Sequence, residues 1–135
     1  MIKTPVQLRF HDMDMLGHMY NGQYTHIFDI GKSDFIQTAL KTDFDWHDGI
    51  GFVNVSTTNN YYSQIKFGTN IEIQTTAEKI GTKSLTLLHK MVDVNSGEVK
   101  ADSLCVLVCF DFRNQKSIAI PNPWREAVEK EISLK

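Results

Sequence analysis

Several features that define whole classes of protein are missing from this sequence. It has only two cysteines, Cys105 and Cys109. They lie four positions apart in a segment with strand periodicity, so their Cα atoms are roughly 13 Å apart and cannot be bridged. There is no excess of one charge either, because 14 basic residues face 16 acidic ones and the formal net charge is -2. That balance argues against nucleic-acid binding through bulk positive charge.

Long apolar runs are also missing. No stretch approaches the roughly 18 apolar residues of a membrane span, and the first residues lack the apolar run of a signal peptide. We therefore predict a cytoplasmic protein with neither a membrane nor a nucleic-acid partner. What is present, 135 residues with 41% hydrophobic and 22% charged side chains, is typical of one globular domain spanning residues 1–135.

Hydrophobic periodicity predicts the order of the elements in the first half. Val6, Leu8 and Phe10 alternate with polar residues, which predicts a strand that ends at His11–Asp12. Asn21 is a candidate N-cap, and a helical period then continues to about Leu40. The apolar face of that helix consists of Tyr24, Ile27, Phe28, Gly31 and Phe35. A polar loop is predicted over residues 42–51.

The second half alternates with period two almost throughout, which predicts strands over residues 53–67, 71–77, 85–91 and 99–109. The last of these is apolar on both faces at its middle, so we expect it inside the sheet. Asn122-Pro123 predicts the cap and first turn of a short C-terminal helix. One strand, one long helix and then several strands joined by short turns predict an α+β fold, with an antiparallel sheet and one helix packed on its face.

Polar and ionisable side chains concentrate between the first strand and the long helix, where residues 9–22 read R-F-H-D-M-D-M-L-G-H-M-Y-N-G. The pattern D-x-D-x-x-G-H-x-x-N before an amphipathic helix resembles the opening signature of the hot-dog-fold acyl-CoA thioesterases of the 4-hydroxybenzoyl-CoA thioesterase type. The resemblance continues, in that family's order, through I-K-F-G-T-N-I-E-I, K-I-G-T-K-S-L-T-L and V-L-V-C-F-D. It implies a hot-dog fold, with about five antiparallel strands wrapped on the long helix, and hydrolysis of acyl-CoA thioesters.

The resemblance also implies roles for four residues. Asp14 matches the family's catalytic carboxylate, which either attacks the thioester carbonyl or acts as a general base on water; the sequence leaves both open. The main-chain N–H of Asn21, at the start of the helix, is the expected oxyanion donor. Gly17 lets the loop backbone approach the thioester, and His18 orients Asp14 or the substrate, or simply hydrogen-bonds its own loop.

Further residues are assigned by the resemblance to the coenzyme arm. Lys79, Lys83 and Ser84, around the turn at Gly81, match positions where family members contact phosphate or pantetheine. Coenzyme A would be part of the substrate, so no separate cofactor is expected. Hot-dog thioesterases are at least dimers, and we therefore expect a homodimer or homotetramer in which this turn serves the Asp14 of another chain, with acyl-CoA or acyl carrier protein as the substrate carrier.

Other interpretations compete with this one. Asp12 and Asp14 are residues that often satisfy turn amides, and we expect Asp12 to be structural, paired with Arg9 or Lys32. A metal-dependent hydrolase would use His11, Asp12, Asp14 and His18, although that spacing is not a recognised site. A third possibility is a domain that binds acyl-CoA or acyl carrier protein without turnover. Four tyrosines are either acyl-pocket or core residues: Tyr20, Tyr24, Tyr61 and Tyr62.

Overall fold

A computed structural model describes residues 1–42 and 49–134. In chain order the elements are β1 (Ile2–Val6), a 3-10 turn (Phe10–Asp12), α1 (Asn21–Ala39), β2 (Ile50–Tyr61), β3 (Ile71–Ile80), β4 (Ser84–Asp93), β5 (Val99–Asp111), β6 (Lys116–Ser117) and α2 (Asn122–Ser133). The predicted loop over residues 42–51 lies mainly outside the described residues. None of the described helices combines the length and apolar character needed to cross a membrane.

The strands form one antiparallel sheet in the order β1-β3-β4-β5-β2, with the short β6 paired to β5. The predicted interior position of β5 is confirmed, because β5 pairs with β4 on one side and β2 on the other. β1 and β2 are the edges. Pro5, which has no N–H to donate, is tolerated in β1 because that strand is an edge.

The predicted apolar face of α1 is confirmed, since all five of its residues are buried. Gly31 brings the helix close to β3: a Cβ at this position would stand 2.5 Å from Cγ2 of Ile73. Phe35 is fully buried, and burying one such side chain stabilises a fold by roughly 1.5–3 kcal/mol. The α+β fold, with a long helix on an antiparallel sheet and a short C-terminal helix, is therefore as predicted.

The boundaries near the start of the chain differ from the prediction. β1 ends at Val6 rather than at His11–Asp12, and Phe10 is 83% exposed. The Asp12 carboxylate accepts a hydrogen bond from the backbone N–H of Arg9 at 2.7 Å. This contact closes a 3-10 turn at the place where the strand was predicted to continue. Sequence alternation alone does not reveal such a side-chain contact to the backbone.

The predicted caps were also wrong. Asn21 is the first helical residue rather than the N-cap, and Tyr20 occupies the cap without a side-chain hydrogen bond. In the same way Asn122 opens α2, which is capped by Pro121, although Pro123 lies in the first turn as predicted. The strand predicted over residues 53–67 ends at Tyr61.

The two cysteines behave as expected from the sequence. Cys105 and Cys109 are both free and buried on the inner face of β5. Burial raises the pKa of the Cys109 thiol to about 11, so this group is protonated and packs as a small apolar side chain.

Candidate active site

The segment between the 3-10 turn and α1 is a tight loop built around Asp14. Its N–H donates to the carbonyl of His18 at 2.8 Å, and its carbonyl accepts from the N–H of Gly17 at 3.1 Å. Met13 and Met19 form an antiparallel bridge at the base of the loop. Gly17 has a φ of +77°, and a Cβ there would meet no atom within 4 Å. The loop thus needs glycine for its backbone conformation, and the space above Gly17 is open to a ligand.

The two carboxylate oxygens of Asp14 have different surroundings. Oδ1 accepts hydrogen bonds from the N–H groups of Leu16 at 2.9 Å and His18 at 3.3 Å. Within residues 1–42 and 49–134, no hydrogen bond reaches Oδ2. One oxygen therefore fixes the side chain while the other is available to a reacting group.

His18 contacts Asp14 through its backbone and not through its ring. Its N–H donates to the carboxylate, and its carbonyl accepts from the N–H of Asp14. The half-buried imidazole lines the cleft described below. The structure thus gives His18 a place at the cleft wall, and the orientation of Asp14 comes from loop amides.

The start of α1 lies beside this loop and is held in place by two backbone contacts. The N–H of Tyr20 donates to the carbonyl of Asp12 at 2.9 Å, and that of Met19 donates to Ile65 at 2.7 Å. Asn21 and Gly22 are the first two helical residues, whose N–H groups have no partner within a helix. Asn21 lines the same cleft as Asp14, and unpaired N–H groups at the positive end of a helix dipole favour a negative charge.

Asp12 has the structural role expected from the sequence. It is buried, and its oxygens accept hydrogen bonds from Arg9 Nη2 at 2.9 Å and Nε at 3.3 Å, besides the backbone N–H. Burial alone would raise the pKa of this carboxyl, but the hydrogen bonds and charge of Arg9 outweigh burial and hold the pKa below its ordinary value. The alternative partner, Lys32, instead pairs with Asp29 at 2.9 Å.

A cleft of about 490 Å³ opens in front of Asp14, between the start of α1 and the end of β2. It brings together three of the residues singled out from the sequence, Asp14, His18 and Asn21, and its wall includes all four of the tyrosines. Tyr24 is a core residue that contacts Tyr61 edge to face at 4.8 Å, whereas Tyr20, Tyr61 and Tyr62 are exposed. The tyrosines thus serve as both core and cleft wall.

Tyr62 was among the tyrosines singled out from the sequence, but its hydrogen bond and two further residues of the cleft wall were not. The Tyr62 hydroxyl donates to Oδ2 of Asp102 at 2.8 Å, and this hydrogen bond is the main reason that the pKa of Tyr62 is raised. Ser63 and Gln64 also line the cleft. They lie just after the end of β2, about 50 positions after Asp14 in the sequence, and no local motif marks them.

A second surface meets Asp14 from the other side. This cavity of about 420 Å³ has a mainly apolar wall and includes Met13, Gly17 and the exposed Phe10 and Phe67, whose rings contact each other at 6.2 Å. Asp14 lines both cavities. It therefore stands at the junction of a polar and an apolar surface, which suits a substrate with two chemically different arms.

Lys79, Lys83 and Ser84 are not brought to Asp14 within one chain. They lie at the turn between β3 and β4, whereas the Asp14 loop contacts the segment just before β3, through the bridge between His18 and Lys66. β3 has 10 residues, so its two ends are roughly 30 Å apart. Lys83 Nζ donates to Ser117 Oγ at 3.4 Å.

The four residues of the alternative metal site do not converge. Asp12 is turned to Arg9, and Oδ1 of Asp14 is turned to the loop amides. Within the part of the chain that the structure describes, no group of three or more His, Cys, Asp or Glu side chains is close enough to hold an ion. The geometry thus supports a site built on one carboxylate and backbone N–H groups.

Comparison with known proteins gives a consistent result. The model of a family described as the thioesterase-like superfamily matches residues 8–128. The chain is also 25% identical over 131 residues to the long-chain acyl-CoA thioesterase FadM of Escherichia coli (strain K12), a match that covers 97% of this chain and 99% of that protein.

Solved structures share the fold. The PA5185 protein of Pseudomonas aeruginosa strain PAO1 is similar with a TM-score of 0.88 and 23% identity, over 97% of this chain and 91% of the other. A thioesterase of Thermus thermophilus, solved with coenzyme A and Zn, is similar with a TM-score of 0.83 and 23% identity, over 97% and 94%. At these identities the likeness establishes the fold alone.

Proposed function

Since the chain belongs to the thioesterase-like superfamily and has the hot-dog fold of its structural neighbours, we propose that it hydrolyses acyl-CoA thioesters with Asp14 as the reacting carboxylate. The observation that carries the proposal is the asymmetry of this carboxylate. Oδ1 is held by two loop amides, and Oδ2 is free of hydrogen bonds within the described residues. Asp14 lines the same cleft as Asn21, the first residue of α1.

Two mechanisms use this geometry. As a nucleophile, Asp14 attacks the thioester carbonyl, the C–S bond breaks with its electron pair leaving on sulfur, and water then hydrolyses the resulting anhydride to free acid and carboxylate. As a general base, it takes a proton from water, which attacks the carbonyl directly. The thiolate leaves without much help, because a free thiol has a pKa of about 8.5. Both mechanisms remain part of the proposal.

The developing oxyanion needs hydrogen-bond donors in either mechanism. The backbone N–H groups of Asn21 and Gly22 are the proposed donors, because they begin α1 and lie at the positive end of its dipole. This function belongs to the backbone, and the Asn21 side chain makes no capping hydrogen bond. Donors that are fixed before the reaction stabilise the oxyanion without any reorganisation cost.

The two cavities that share Asp14 would each hold one arm of the substrate. A relative binds coenzyme A and another is a long-chain acyl-CoA thioesterase, which supports acyl-CoA as the substrate; acyl carrier protein is the alternative carrier. The closer resemblance to the 4-hydroxybenzoyl-CoA type stays a prediction, as does the cytoplasmic location. No cofactor is part of either proposed mechanism.

A homodimer or homotetramer also remains a proposal. The edge strand β2 has 12 residues and pairs on one side only, and an exposed edge of this kind is a template for pairing with another copy. Such pairing is how Lys79, Lys83 and Ser84 of one chain would reach the coenzyme arm near Asp14 of another, since they lie far from it in their own chain.

The test is release of free thiol from a panel of aliphatic and aromatic acyl-CoAs. Asp14→Asn keeps an oxygen for the amides of Leu16 and His18 but removes the charge, so we expect kcat/KM to fall roughly a hundredfold or more. Asp93→Asn is the matched control, because Oδ1 of Asp93 accepts from the N–H two residues later at 2.9 Å, as Oδ1 of Asp14 does.

Three outcomes separate the competing interpretations. Loss of turnover in Asp14→Asn with the control unchanged supports the proposed site. Native-like turnover in Asp14→Asn would contradict the role of Asp14. A native protein that binds acyl-CoA but releases no thiol from any substrate would be the non-catalytic binding domain instead.

A further inference from the structure

The loop that begins at Asp14 separates the two cavities that share this residue. Met15 and Gly17 line the apolar cavity of about 420 Å³, whereas Leu16 and His18 line the cleft of about 490 Å³. Successive residues of the loop therefore face opposite sides. Asp14 lines both cavities, so a thioester carbonyl at its carboxylate has one cavity on each side.

The apolar cavity presents almost no group that can form a hydrogen bond. Asp14 is the one polar side chain among the described residues that line it, and the other side chains are those of Phe10, Met13, Met15 and Phe67. Phe10 is 83% exposed, Phe67 is 56% exposed and Met15 is fully exposed. Exposed apolar side chains gathered at one place are typical of a binding surface, because a ligand that covers them removes them from water.

The wall opposite the loop is held in place by backbone contacts. Phe10 begins the 3-10 turn, and its carbonyl accepts from the N–H of Met13 at 3.2 Å. Phe67 lies between β2 and β3, next to Lys66, which bridges to His18. The two rings meet edge to face, with their centroids 6.2 Å apart. This aromatic pair is therefore fixed relative to the loop, and the cavity lies between them.

We propose that the acyl group of the substrate binds in this apolar cavity, between the Asp14 loop and the pair formed by Phe10 and Phe67, so that aliphatic acyl-CoAs are the preferred substrates. The proposal rests on the proposed thioesterase function and adds its substrate class. Met13 and Met15 have flexible side chains that adapt their shape to a flexible ligand.

The three substituents of the thioester carbonyl carbon favour this direction. The oxygen is assigned to the N–H of Asn21, which lines the cleft, and the sulfur carries a pantetheine arm whose amides and hydroxyls need partners. The cleft offers such partners on Tyr62, Ser63 and Gln64. The acyl chain needs none, and its path to the apolar cavity crosses Gly17, where a Cβ would meet no atom within 4 Å.

The expected chain-length dependence follows from the burial of methylene groups. Complete burial of one methylene is worth about fourfold in an equilibrium constant. The cavity is open on one side, since Phe10 and Phe67 are exposed, so we expect about half of that free energy. This amounts to about twofold per methylene, or about fourfold per two-carbon step.

The experiment measures kcat/KM for saturated acyl-CoAs with four, six, eight and ten carbons, and for benzoyl-CoA. In the native protein kcat/KM should rise about fourfold per two-carbon step until the cavity is filled. Met15→Gln is nearly isosteric and makes one wall polar, so the step should fall to about twofold. Phe10→Ala removes one ring of the aromatic pair and should lower the step in the same way. Both side chains are exposed, so neither change removes a core residue.

Leu16→Gln is the matched control. Leu16 follows Met15 directly and is 78% exposed, but it lines the cleft. Its two-carbon step should equal that of the native protein, whatever happens to kcat/KM itself. Its N–H, which holds Asp14, is retained.

Several results would overturn the inference while leaving the thioesterase function intact. These are a native kcat/KM that does not rise with chain length, a step that is unchanged in both Met15→Gln and Phe10→Ala, and turnover of benzoyl-CoA with none of the aliphatic substrates. A step lowered only by Leu16→Gln would place the acyl chain in the cleft instead. Silence on every acyl-CoA would overturn the proposed function, and this inference with it.

Discussion

We predict that His89 makes the stability of this fold depend on pH between about 4 and 6.5. The side chain is 1% exposed on the inner face of β4, beneath α1. Its neutral ring is in contact with Thr75 and Cys105, and its protonated form would place a charge in the core near Lys32. We predict that protonation of His89 destabilises the native state.

The magnitude follows from the pKa values. Burial lowers the pKa of His89 in the fold to about 4, from 6.5 for the free side chain. A lowered pKa of a basic group means that its stabilising contribution is fully present above pH 6.5 and is lost progressively as the pH falls towards 4. Between pH 7 and pH 5 the native protein should lose about 2 kcal/mol from this residue alone, a large share of the stability of a small domain.

The assay is urea unfolding, followed by circular dichroism at pH 7, 6 and 5 and at one protein concentration, for the native protein and His89→Gln. Subtracting the two curves cancels the groups that they share. The difference should shrink by about 2 kcal/mol from pH 7 to pH 5, whereas His26→Gln, which changes an exposed histidine of α1, should leave the native slope in place. A flat difference between the native protein and His89→Gln would refute a buried neutral His89.

Two further predictions concern the 3-10 turn and the Asp14 loop that follows it. Gly17→Ala should lose about 1 kcal/mol of unfolding free energy in urea, because alanine is strained at φ +77°; Gly17→Asn should recover most of it, and equal stability of native and alanine forms would contradict the backbone argument. Asp12→Asn should have a lower free energy of unfolding than the native protein at pH 7. The Arg9 contact holds the pKa of Asp12 below 3.8, so this difference in free energy should narrow as the pH falls below that value. A difference that does not change with pH would contradict this.

The elements were predictable where the signal is a long periodic pattern. All of the buried residues of α1 except Ile36 were identified, because burial against one sheet forces apolar side chains onto one side of a helix. The ends of elements were less predictable. β1 stops early because of the contact between Asp12 and Arg9, and Asn21 is inside the helix because the backbone contact of Tyr20 with Asp12 fixes where it starts.

The candidate site divides in the same way. Asp14, Gly17, His18 and Asn21 lie within eight positions, so the loop motif found them together. Ser63 and Gln64 lie just after the end of β2, and the sheet carries the turn with Lys79, Lys83 and Ser84 away from Asp14. Those placements depend on strand order, which the periodicity of a single strand does not encode.

The sequence by itself therefore determined the fold class, the order of the elements and the loop that carries Asp14, because local periodicity or a short motif indicates each of them. Only the tertiary structure decided what surrounds that loop. It placed a tyrosine wall on one side of Asp14 and an apolar surface on the other, and it set a row of polar side chains beneath α1, formed by Thr75, His89, Ser103 and Asn59. The reason is physical: pairing in register across strands brings together side chains that are distant in the chain.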